Sequence, residues 1–198
     1  MQLGGNWQNA PNTVGPREFT CGHSGCGREV GSEKGWFYHH PQSNPPLGWV
    51  YICPICDRPT FFDVKENKQI PGVSFGYSVE HLPQDINKLY EEIRKVTAVE
   101  AYTAAALACR KLLMHIAVEK SATAGSNFIE YVDYLVDNHY APPGSKPWVD
   151  KIRQSGNEAN HEIKIISKEE ALDLINFVEM LLRFMYEFPG KLGLPTTP

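Results

Sequence analysis

The sequence predicts a mainly α fold, an antiparallel helical bundle over residues 77–190 behind a small β module over residues 17–76. Three observations lead there. From residue 83 onward apolar side chains recur every three or four positions, the period of a helix with one buried face. Before residue 76 that period is missing, and Gly, Pro and aromatic residues punctuate short runs such as GWVYIC and PTFFDV that read as strands. Between the two, QIPGVSFGYSVEHLPQDI carries Pro71, Gly72, Gly76 and Pro83 and reads as an ordered connector.

Five helical segments follow in order. PQDINKLYEEIRKVTA begins at Pro83, a residue suited to a first turn, with acids after it. EAYTAAALACRKLLMHIAVEK places Tyr102, Ala105, Cys109, Leu112 and Ile116 on one face, and its alanines allow a neighbouring helix to come close. SNFIEYVDYLVDNHY does the same with Phe128, Val132, Leu135 and Val136 until APPGSKP stops it. Pro147 opens a fourth helix with Trp148, Ile152 and Ala159 inward. The last, SKEEALDLINFVEMLLRFMYEF, starts with a capping box from Ser167 to Glu170. It turns Leu174, Ile175, Val178, Leu181, Leu182 and Met185 to the core until Pro189 and Gly190 end it. Short connections between successive helices imply antiparallel packing.

Bulk properties narrow the function. Apolar residues at 42% and charged residues at 21% of 198 suit a soluble globular chain. The net charge of -4 is shared by both halves: residues 1–80 hold six Lys/Arg against seven Asp/Glu, the remainder thirteen against sixteen. Extensive binding to duplex DNA needs a basic half, so any nucleic-acid role must rest on a local patch or on a groove between copies. MQLGGNWQNAPNTVGP lacks the apolar core of an export signal. The most apolar run, AYTAAALAC, is about half the length needed to cross a bilayer.

The cysteines divide informatively. Cys21, Cys26, Cys53 and Cys56 form two clips, CGHSGC and CPIC, 26 residues apart, and Cys109 stands alone. Four thiolates in two clips close a tetrahedral Zn²⁺ shell, with Gly and Pro letting backbone N–H groups turn toward the sulfurs. Four protein ligands leave no position for a bound water, so the expected zinc is structural. His23 inside the first clip is an alternative ligand. Thiols used for metal and not for disulfides fit a reducing cytoplasm. Cys109, on an apolar helix face, reads as a packing residue. His39 and His40 read as surface residues, and His81, His115 and His139 show no partner in the sequence.

The segment IRQSGNEANHEI places Arg153, Asn157 and His161 four residues apart, a drift of about 40° per step along one helix face. The whole succession of CGHSGC, CPIC, LPQDINKLYEEIRKV, AYTAAALACRKLL and IRQSGNEANHE resembles the bacterial family known as domain of unknown function 4145. That resemblance spans residues 20–188. The family is similar to the HEPN superfamily, helical bundles that commonly dimerise and include metal-independent ribonucleases as well as inactive members. It implies a homodimer, RNA as a candidate substrate, and protein partners from phage-defence, toxin or restriction-linked systems. Active members carry an Arg directly before a polar residue such as Asn, then a His. Asn157 and His161 match, but Gly156 stands in the arginine position and Arg153 lies one turn earlier.

The leading expectation is a nucleic-acid-associated defence or stress-response protein, in which metal-free RNA cleavage would use His161 as base toward a 2′-hydroxyl, Arg153 to hold the charged phosphorane and Asn157 to orient. The competing reading is a noncatalytic module, for protein–protein interaction or nucleotide sensing, in which the same stripe braces a close helix crossing at Gly156. RNA incubation in EDTA separates the two.

Overall fold

The computed structural model describes residues 15–38, 46–142, 144–145, 147–150 and 165–194. The chain divides into two compact units, residues 1–74 and 75–198. Among the described residues 45% are helical and 16% extended, and the strands form two antiparallel sheets in the first unit. The fold is mixed α/β, which corrects the expectation of a mainly α helical bundle. The strands are three to five residues long, too short for alternation to stand out beside the long helical periods. Only the two that carry GWVYIC and PTFFDV were legible.

In the first unit, β1 (Arg17–Thr20) and β2 (Glu29–Ser32) form a hairpin, with Arg17 opposite Ser32 and Thr20 opposite Glu29. The strands β3 (Gly35–Tyr38), β4 (Gly48–Ile52), β5 (Pro59–Asp63) and β6 (Lys68–Ile70) follow as a four-stranded meander. The β4–β5 register sets Trp49 against Phe62 and Tyr51 against Thr60. Cross-strand partners share a face, so Tyr51 and Phe62 meet Phe19 there, with ring centroids 5.3 to 6.3 Å apart. Arg17 lies with its guanidinium 3.9 Å from the Phe62 centroid. These rings and the buried cysteines are the core of the unit.

The second unit is helical. α1 (Gln84–Thr97), α2 (Tyr102–Glu119), α3 (Phe128–Asp137) and α4 (Lys168–Leu182) build it, and α2 packs on each of the other three. Its burial explains that place: Ala105, Ala106, Cys109, Leu112, Leu113, Ile116 and Ala117 are buried around more than one face. Both α3 and α4 begin with reciprocal capping boxes, Asn127 with Glu130 and the expected Ser167 with Glu170.

Two expectations change here. Residues 147–150 are helical, but Trp148 is 42% exposed and Val149 is the buried residue. The last helix does not end at Pro189. After α4 the chain widens into a π-helical turn, Arg183–Glu187, then continues as α5 (Phe188–Lys191) with Pro189 in its first turn. The Phe188 N–H reaches back five residues to the Arg183 carbonyl, so the proline falls where a new first turn needs no donor.

Candidate metal centre

The four cysteines of the two clips converge in the first unit. Their sulfurs lie within 4.8 Å of one another, with Cys21 and Cys53 fully buried, Cys56 nearly so and Cys26 half-buried. Cys21 Sγ is 3.8 Å from Cys56 Sγ, and Cys26 Sγ is 3.7 Å from Cys53 Sγ. An ion bonded tetrahedrally to sulfur at ~2.3 Å has sulfur–sulfur edges of about 3.8 Å. Both distances are far beyond a disulfide bond, and all four thiols are free. The donor set therefore fits a metal ion.

The clips are built alike despite their unequal spacers. In each, the first cysteine's N–H donates to the carbonyl two residues past the second cysteine, Cys21 to Arg28 at 2.9 Å and Cys53 to Arg58 at 3.0 Å. In each, the residue after the second cysteine is left-handed, Gly27 at φ 60° and Asp57 at φ 56°. Glycine meets that need without cost, whereas Asp57 tolerates it as short polar residues can. The tight turns aim backbone N–H groups at sulfur. Burial pushes the Cys53 thiol up, but N–H groups of Cys56 and Ile55 outweigh it and draw the thiol below its ordinary value. Burial prevails at Cys21 and Cys56 and pushes both up, against the N–H groups of His23 and Arg58. A buried thiol with no cation beside it holds its proton, and an ion supplies the missing positive charge.

His23 does not join the four. Its Nε2 lies 2.7 Å from the Pro59 carbonyl oxygen, and a carbonyl only accepts, so that nitrogen carries the proton and donates. On the other side of the clip, a Cβ at Gly22 would fall 2.2 Å from the Pro71 carbonyl oxygen, which is why only glycine fits. Gln69 Nε2 donates to the Thr20 and Pro71 carbonyls at 2.8 and 3.1 Å. Sequence reading missed these three supports. The glycine signal was present in CGHSGC, but its reason sits about fifty residues away.

Elsewhere the expectations meet mixed outcomes. Arg153, Asn157 and His161 lie outside the described residues, as do His39 and His40. Cys109 is fully buried on α2 and burial pushes its thiol up, which suits packing. His115 does have partners: its Nε2 is 3.3 Å from Asp85 Oδ2 and 4.0 Å from Glu119 Oε2. The Ile86 N–H, then the N–H of Asp85 itself and His115, hold the Asp85 carboxyl below its usual range.

The fold and the site define a two-unit α/β protein whose first unit gathers four cysteines into a cluster that could hold a metal ion. The family model described as Domain of unknown function (DUF4145) matches residues 91–194, just over half of the chain, and the chain belongs to that family. No curated protein and no solved structure matches the chain. No helix among the described residues is long and apolar enough to cross a membrane.

Proposed function

We propose that the chain is a noncatalytic recognition protein: a zinc ribbon in the first unit, held in shape by one structural Zn²⁺, coupled to the family domain and acting by binding a protein or nucleotide partner in the cytoplasm. The observation that carries this reading is the sulfur geometry, with four thiols within 4.8 Å of one another and two of their separations, 3.7 and 3.8 Å, at the edge length of a tetrahedral site. Soft thiolates in that arrangement favour Zn²⁺, which has no redox chemistry and no preference against the tetrahedron. With every position taken by sulfur, no water or substrate can reach the ion. Cys21, Cys26, Cys53 and Cys56 would hold it, and its contribution is to order short strands that bury little apolar surface by themselves.

A second reading, RNA cleavage in a homodimer of HEPN type, is supported by the helical spacing of Arg153, Asn157 and His161 in the sequence. Defence or restriction-linked partners belong to that reading. Incubating the zinc-loaded full chain with mixed labelled RNAs in Mg²⁺-free buffer decides between them. The noncatalytic reading expects intact RNA with wild type and with His161→Ala. Cleavage by wild type that His161→Ala abolishes would replace it with the nuclease.

A further inference from the structure

We propose that His23 is the positioning residue of the metal centre, holding the wide first clip against the second so that the four sulfurs stand ready before an ion arrives. The inference rests on the zinc reading and extends it. CPIC has two residues between its cysteines and needs little help to close. CGHSGC has four, and its longer loop has more conformations to lose before both sulfurs face one ion.

His23 removes that freedom from three sides. Its carbonyl accepts from the Cys26 N–H at 3.0 Å, closing the turn within the clip. Its own N–H is directed at the Cys21 sulfur. Its ring crosses to the other clip, donating from Nε2 to the Pro59 carbonyl at 2.7 Å. Pro59 opens β5 opposite Ile52, the residue before Cys53. The imidazole thus fixes the first clip to the strand pair that carries the second. Only this last contact depends on the side chain, and it is the one that a substitution can remove without altering a ligand. Outer contacts of this kind commonly change metal affinity by roughly 10–100-fold.

The test compares full-length wild type, His23→Ala and His23→Gln, whose amide can still donate to Pro59. Each is loaded with Zn²⁺, and loss of the ion to a chelating dye is followed in time. His23→Ala is expected to release zinc about 10–100-fold faster, with His23→Gln within a few-fold of wild type. Equal release rates for all three would overturn the proposal, and so would His23→Gln releasing as fast as His23→Ala. Co²⁺ substitution supplies a second readout. The visible d–d bands of a four-sulfur site are expected in all three proteins, whereas a three-sulfur, one-nitrogen spectrum in wild type that changes in both variants would make His23 a ligand and end the positioning role. A wild type that binds no metal refutes the zinc reading itself, a result the metal content shows separately.

Discussion

Glu187, only 3% exposed, accepts a hydrogen bond from Arg183 Nη1 at 2.8 Å on the π-helical turn. Lys191, one turn on, pairs with the same carboxylate and is the main reason it ionises below the ordinary glutamate range, with Arg183 adding to the effect. Glu179 completes the series, accepting from Arg183 Nε at 3.0 Å and from the Tyr77 N–H at 2.9 Å. Acid and base alternate every four residues from Glu179 to Lys191.

A depressed folded value means that the pair's contribution is complete above the unfolded glutamate value, about 4.3, and is lost as pH falls through the lower folded value. Glu187→Gln is therefore expected to cost roughly 1.5–3 kcal/mol at neutral pH, the range for a hydrogen bond to a charged group. Urea unfolding should show the gap between wild type and variant closing as the pH falls through the unfolded glutamate value, about 4.3, and below it. A gap that widens on acidification would contradict the assignment.

Thiol reactivity separates the five cysteines. With metal bound, none is expected to react quickly with an aromatic disulfide reagent, because four are ligated and Cys109 is fully buried. Adding a strong chelator should release four fast thiols, and Cys109 should follow only on global unfolding. Peptide mapping that finds Cys109 labelled together with the four would count against its place in the core.

Gly22 tests the packing of the first clip. In Gly22→Ala the new methyl meets the Pro71 and Gly72 carbonyl oxygens at 2.2 and 2.4 Å, backbone atoms that can yield only if the clip moves. A loss of roughly 1–3 kcal/mol in stability, with faster metal release, is expected. Gly31→Ala, where a Cβ has no atom within 4 Å, should leave the centre unchanged. Thermal melts of both variants check this.

The sequence showed the cysteine cluster well and its supports poorly. Cys21, Cys26, Cys53 and Cys56 were legible because clip spacing is local chemistry. So were the Ser167 cap and the buried face of α2, both set within a few turns of one helix. The mixed α/β class was not, since β1, β2, β3 and β6 have three or four residues each and owe their place to pairing across the chain. His115 shows the same limit: its partner Asp85 lies thirty positions away on α1, a contact that only the packing of α1 on α2 creates. Trp148 failed for another reason. Helical spacing fixes which residues share a face, and Val149, one position on, is the one whose direction meets the core.

The most direct test is X-ray absorption at the zinc edge on the purified full chain. One equivalent of zinc bonded to four sulfurs at ~2.3 Å is the predicted result. A nitrogen or oxygen in the first coordination sphere, or a protein that retains no zinc when prepared without chelators, would contradict it.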